Sequence, residues 1–266
     1  MVEPIVLYEI PGTPSATAPT GSWNPNCWKT RYTLNIKALP YRTVWVEYPD
    51  IETLYKKVGA EAVEKKADGS PYYTLPAIYD PNTKKFVAES AAIARYLDKA
   101  YPESHTIIPQ DTDALHAAFA VAYLKVLYGG DHLRSLTMSA SQAALRPPSA
   151  EYFLKTREAM YGSFDEFAPK GSEKRGKHWE GLREIYRTLA GWLEADGRKD
   201  RLFFMGERIS FADVSVAGFL WWIRRMFGEE SDEWKEITGW DEGRWKRFMD
   251  AFAEYEAVDV GSDVEL

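Results

Sequence analysis

The sequence predicts an α/β first part joined to an all-α second part, and three observations carry that prediction. Strand-like and helix-like segments alternate as β-α-β-α-β-β-α through the first hundred residues. Beyond Tyr101-Pro102-Glu103-Ser104 the strand signals stop and helical periodicity takes over. At 266 residues the chain is long enough to bury two cores. The division is placed between 1–104 and 105–266.

Each element has its own reason. Residues 5–10 form a short apolar, β-branched run that reads as a buried strand, followed at 11–21 by a loop rich in Pro, Thr, Ser, Ala and Gly. Residues 25–39 carry Trp28, Tyr32, Ile36 and Leu39 at helical spacing, with Pro25 suited to a first turn that needs no N–H. A second strand is read at 43–47, a helix at 51–58 and a polar loop through 67–71. Residues 77–79 and 86–88 flank Asp80-Pro81-Asn82-Thr83-Lys84-Lys85, which is turn chemistry for a hairpin. Residues 89–100 close the first part as a helix. The second part is read as helices at 114–138, 150–167, 177–195, 211–227 and 244–257.

Composition narrows the function classes. A single cysteine makes neither an internal disulfide nor a Cys-rich zinc site, and the histidines at 105, 116, 132 and 178 lack ligand spacing, so no metal site is expected. No apolar run approaches the roughly 18 residues of a membrane span, and no secretory signal is evident at the N-terminus, so a cytoplasmic protein is expected. Of the net charge of −7, residues 229–266 supply −9, leaving a nearly neutral body. No basic face for nucleic acid appears, and the acidic tail reads as a solvated end.

Three segments carry chemistry. Thr74-Leu75-Pro76-Ala77-Ile78 places an X-Pro bond directly before a strand, a candidate cis bond that turns the Leu75 backbone toward a strand-like ligand. Glu89-Ser90 stands where a strand gives way to a helix, so Ser90 and the helix N-terminus suit a carboxylate and Glu89 an ammonium. Ser22-Trp23-Asn24-Pro25-Asn26-Cys27 lies at the mouth of the first helix, where a ligand thiol is more easily ionised. Ser22 is a candidate donor to that sulfur, as are Asn24 and Asn26, and Ser22 or Asn24 serves equally as the helix cap. Ser210 and Asp213 have capping-box spacing and read as structural.

Taken together, Leu75-Pro76, Glu89-Ser90, the Ser210–Asp213 box and this layout resemble a cytosolic glutathione transferase over nearly the whole chain. Residues 22–31 are similar to those of fungal transferases related to bacterial β-aryl etherases. That basidiomycete, ligandin-like class is associated with wood decay and with lignin-derived or polyphenol ligands. The resemblance implies a thioredoxin-like, glutathione-binding N-terminal domain and a helical domain contributing the acceptor pocket. It implies glutathione as co-substrate, held by Trp23, Asn26, Leu75, Pro76, Glu89 and Ser90, with Ser22 and Asn24 as the catalytic pair. Residues 49–71 exceed the usual family connection, leaving Lys56 or Lys57 as guesses for further contacts. The pocket, expected between the domains, is assigned to Trp23 with Tyr123, Tyr128, His132 and Met138, taken as lying on one long helix. The tryptophans at 221, 222, 234, 240 and 245 are assigned to packing within the second domain. A homodimer is also implied.

Two readings follow. In the first, the chain is an enzyme that transfers glutathione to an aromatic electrophile or cleaves an aryl ether, serving detoxification. In the second, it is a ligandin that binds and sequesters plant polyphenols without turnover. A thiol transferase using Cys27 is disfavoured, because no CxxC pair exists and Asn24 occupies the position where some relatives carry a catalytic cysteine.

Overall fold

The computed structural model describes residues 2–164 and 167–266. In chain order the first part contains β1 (Ile5–Glu9), α1 (Pro25–Ile36), β2 (Tyr41–Trp45), α2 (Ile51–Val58), β3 (Glu64–Lys65), β4 (Pro71–Tyr72), β5 (Ala77–Asp80), β6 (Lys85–Ala88) and α3 (Ser90–Ala100). The second contains α4 (Asp113–Tyr128), α5 (His132–Ala143), α6 (Pro147–Tyr161), α7 (Glu173–Leu193), α8 (Phe211–Phe227) and α9 (Asp232–Asp250), and β7 (Ser262–Asp263) lies near the C-terminus. This is a thioredoxin-like sheet domain followed by an all-helical one, as the sequence predicts. No helix among the described residues is long and apolar enough to cross a membrane.

The sheet order is β6-β5-β1-β2-β7. β1 and β2 pair in parallel from Ile5–Tyr41 to Glu9–Trp45, whereas β5 runs antiparallel to β1 with Leu7 opposite Ile78. Alternation along β1 sends Ile5 and Leu7 to one face, where they pack with Leu34 of α1 and Ile93 and Leu97 of α3. Val6 faces the other side and joins the larger core with Leu54 and Tyr55 of α2.

Four expectations are corrected. The acidic tail is not a free solvated end. It doubles back along the sheet, where β7 pairs in parallel with β2, Asp259 accepts from Thr43 N at 2.7 Å, and Glu256 pairs with Arg224. Glu256 and Asp259 are thus held by specific donors. The expected single helix at 114–138 is two, because Gly129-Gly130-Asp131 interrupts it and Asp131 adopts a positive φ of 55°. The expected helix at 150–167 begins at Pro147 and ends at Tyr161, and residues 165 and 166 of that expectation lie outside the described residues. The helix expected at 244–257 is the second half of α9, which bends at Trp240–Gly243 before continuing to Asp250.

The two parts meet where the chemistry is expected. α1 packs along α8, and a Cβ on Gly218 of α8 would stand 2.8 Å from the Pro25 carbonyl oxygen, so only glycine lets α8 approach the first turn of α1 this closely. Trp221 of α8 stacks on Trp28 of α1 with centroids 3.9 Å apart, so this tryptophan joins the two parts instead of packing within the second. The Ser210–Asp213 capping box is present: Asp213 accepts from Ser210 N and Phe204 N, each at 2.8 Å, and from Ser210 Oγ at 2.7 Å. Burial nevertheless pushes the Asp213 carboxyl up to about 6.

Candidate functional site

α1 starts beside a cleft because Asn24 caps it. The Asn24 side-chain oxygen accepts from Asn26 N at 2.9 Å and Cys27 N at 3.2 Å, and Pro25 takes the first-turn position that needs no donor. The cap consumes the carbonyl of Asn24 and leaves its amide, and Asn24 and Tyr48 both line the hollows beside this helix start. Ser22 is fully buried just before the cap, and its Oγ has no hydrogen-bond partner among the described residues. Gly21 sets up this approach with a φ of 86°, and a Cβ there would lie 2.4 Å from the Gly12 carbonyl oxygen.

Two hollows flank this helix start. The first is a cleft of about 360 Å³ lined by Asn24, Asn26 and Lys29 of the α1 region, by Tyr72–Pro76, by Glu89 and Ser90, and by residues of α4, α6 and α8. The Leu75–Pro76 bond is cis, and Glu89 N donates to the Pro76 carbonyl at 3.2 Å, which ties the two motifs together. Glu89 adopts φ 74°, and its carboxylate accepts from Ala91 N and Ala92 N, each at 2.9 Å. Glu89 therefore caps α3 while lining the cleft; the Ser90 N–H is not used by that cap. A non-glycine residue held in this backbone region is costly, and such strained positions cluster at functional sites.

The second hollow is a cavity of about 390 Å³ walled by Trp23, Tyr48, Tyr128, Phe153, Tyr161 and Trp222 together with Leu133, Met138, Arg134 and Arg157. Trp23 meets Phe153 edge-on at 6.3 Å, and Tyr48 stacks on Tyr152 at 5.7 Å. Asn24, Tyr48, Tyr128 and Arg157 line both hollows, so the cleft and the cavity adjoin at the α1 cap. A third hollow, about 430 Å³ between α5, α7 and α9, contains none of the residues singled out by sequence.

The structure brings together Asn24, Asn26, Leu75, Pro76, Glu89 and Ser90 in the cleft, and Trp23, Tyr128 and Met138 in the cavity. Other expected residues lie elsewhere. Trp23 faces the aromatic cavity and not the cleft, and Ser22 lies buried behind both linings. Tyr123 is buried in the core against Phe119 and Phe219. His132 faces α7, with Nδ1 3.2 Å from His178 Nδ1, because the break after Tyr128 turns α5 away from the line of α4. Lys56 pairs with exposed Glu52, and Lys57 donates to the Glu265 carbonyl, so neither reaches the cleft. Trp222, assigned to packing, is instead part of the cavity wall.

Two cations were missed. Lys29, three residues after Asn26 and hence on the same helix face, lines the cleft with its Nζ 5.2 Å from the Phe219 ring. Burial pulls the Lys29 ammonium down to about 8, against the raising influence of Glu89. Arg157 sits four residues after Phe153 on α6. Cys27 is wholly buried, and desolvation followed by the Glu9 charge pushes its thiol well up, the state of an inert core thiol.

Comparison with known proteins finds the same architecture. The glutathione S-transferase N-terminal domain family model matches residues 23–100, and the glutathione S-transferase C-terminal domain family model matches residues 114–255. A glutathione S-transferase of Ceriporiopsis subvermispora, solved in complex with glutathione, is 46% identical with a TM-score of 0.89, over 97% of this chain and 99% of that one. A glutathione transferase of Phanerochaete chrysosporium is 42% identical with a TM-score of 0.88, over 97% and 100% of the two chains. Among curated relatives, a glutathione S-transferase-like protein of Aspergillus flavus is 27% identical over 94% of this chain and 88% of its own.

Proposed function

The chain belongs to the glutathione S-transferase family, and from that premise we propose that the cleft binds glutathione and the adjoining cavity an aromatic electrophile. The observation that carries this reading is the shared lining of Asn24, Tyr48, Tyr128 and Arg157, which sets the cleft and the aromatic cavity side by side at the α1 N-terminus. The cysteinyl backbone of glutathione pairs with Leu75. Its γ-glutamyl ammonium meets Glu89 and its carboxylate the Ser90 N–H and hydroxyl. The Asn24 amide, which lines the cleft, donates to the sulfur at the α1 N-terminus, favouring thiolate, whereas Ser22, buried behind the lining, does not face it. The thiolate forms a bond to carbon, and the leaving group departs with the bonding pair. When the acceptor is an aryl ether the leaving group is a phenolate, which is the etherase form of the same reaction. Flat lignin-derived or polyphenolic rings suit the Trp23, Tyr48 and Trp222 walls.

Asn24→Ala is the first test. Conjugation of glutathione to an aryl halide is expected to fall about 10–100-fold in kcat with KM for glutathione little changed. The same variant is expected to lose some stability, through its cap, and Ser22→Ala is expected to change kcat less than Asn24→Ala does. An unchanged kcat in Asn24→Ala removes that residue from catalysis. If no electrophile turns over while polyphenols still displace a bound dye, the ligandin reading replaces the enzymatic one.

The homodimer we propose uses α4, whose outer face exposes Leu115 and Val121 at 66% and 72%. The wild-type chain is expected at twice 30.4 kDa by light scattering, and Val121→Glu at the monomer mass. A Val121→Glu dimer would place the interface elsewhere.

A further inference from the structure

Arg157 differs from the arginines that lie nearest to it in the sequence on either side. Arg134 pairs with Asp131, Arg146 with Asp263 and Arg175 with Glu233, whereas no carboxylate among the described residues pairs with Arg157. Its one side-chain hydrogen bond among the described residues goes from Nη1 to Thr156 Oγ1 at 2.9 Å, and a guanidinium has five N–H donors to place. The group is held over rings instead, 4.9 Å from the Phe153 centroid and 5.6 Å from that of Tyr48. Among the described residues no acidic side chain lines the aromatic cavity, whose charged lining residues are Arg134 and Arg157.

We propose that Arg157 makes the acceptor site selective for aromatic molecules that carry an anionic oxygen group, a carboxylate or a phenolate. This rests on the reading of the cavity as the acceptor site. A ring lying in the cavity against Trp23 and Phe153 places such a substituent near a guanidinium whose N–H fork suits bidentate recognition of oxygen anions. The aromatic shelf fixes the planar fork in advance, so little ordering is lost when the anion arrives. Arg157 also borders the cleft, and the competing assignment is an anchor for a glutathione carboxylate.

Calorimetric titration with naphthalene-2-carboxylate and its methyl ester, on protein saturated with S-methylglutathione, separates these assignments. The wild-type protein is expected to bind the carboxylate about 10–100-fold more tightly than the ester. Arg157→Gln is expected to abolish that preference while leaving the ester and S-methylglutathione affinities within about twofold, and Arg157→Lys to keep part of it. Equal affinities in the wild type, or a preference that survives in Arg157→Gln, overturn the proposal. So does an Arg157→Gln variant whose main loss is in S-methylglutathione binding. If the ester binds without preference, only the anion selectivity fails. If neither naphthalene binds while S-methylglutathione does, the acceptor reading fails and takes the selectivity with it.

Discussion

Arg31→Met is expected to lower the free energy of unfolding by about 3–5 kcal/mol, read from the denaturant midpoint at constant slope. Arg31 lies in the middle of α1, wholly buried, and pairs with Glu9 of β1, also wholly buried. It also donates to Tyr41 Oη at 3.0 Å and Thr43 Oγ1 at 3.1 Å, and Asp259 of the tail stands 3.5 Å away. Methionine fills similar volume, so packing changes little. What remains is a carboxylate at Glu9 with no cation beside it, in a site that water does not reach. The double variant Glu9→Leu with Arg31→Met removes both charges and is expected to recover most of the loss, since replacing a buried pair by apolar groups is often near neutral. A midpoint in Arg31→Met within 1 kcal/mol of wild type would mean that Glu9 protonates or hydrates at little cost. The network explains why the tail folds back: Asp259 completes the polar edge that Arg31, Tyr41 and Thr43 present beside β2.

This network marks a boundary of what sequence could tell. The strands at 5–10 and 77–88, and the helix opened by Pro25, were legible because their patterns are local: alternation, turn residues and a first-turn proline. The Leu75–Pro76 and Glu89–Ser90 motifs were legible as a pair, and the structure joins them through one hydrogen bond. The tail was misread because a run of acids looks solvated until its partners are known, and Arg31, Thr43 and Arg224 lie more than 30 residues away. Tyr123 and His132 were misplaced for a different reason. Helical spacing from Tyr128 onward holds only if the helix is continuous, and Gly129-Gly130-Asp131 breaks it, so α5 takes a new direction. Tyr48 and Arg157 carry no local signal at all. Their role comes from α6 packing over the one-turn 3-10 helix Tyr48–Asp50, with Tyr48 N donating to Ser149 Oγ at 2.8 Å. Contacts a hundred residues apart in sequence are set by the fold and not by any window of residues. Lys29 was the one omission with a usable signal, since it shares a helix face with Asn26.

Lys29→Met is expected to weaken S-methylglutathione binding at pH 7 by about tenfold or more and to flatten its pH dependence between 7 and 9. Lys29 is 9% exposed and among the described residues forms no ion pair, so its charge faces the cleft with Glu89 as the opposing charge. Burial has already pulled its pKa to about 8, so the free protein loses this proton as pH rises through 8. An anion in the cleft favours the charged form, which means that above pH 8 binding must also take up a proton. Affinity in the wild type is therefore expected to fall toward tenfold per pH unit above 8. The ligand-free protein responds with the opposite sign. An unfolded lysine titrates near 10.4, so between 8 and that value the unfolded chain holds more protons than the native one, and stability rises with pH. Lys29→Met removes both slopes together. Titration of the ligand itself is common to the two proteins and cancels in the comparison, so a wild-type slope that persists in Lys29→Met would assign the effect to the ligand and leave Lys29 without a role in binding.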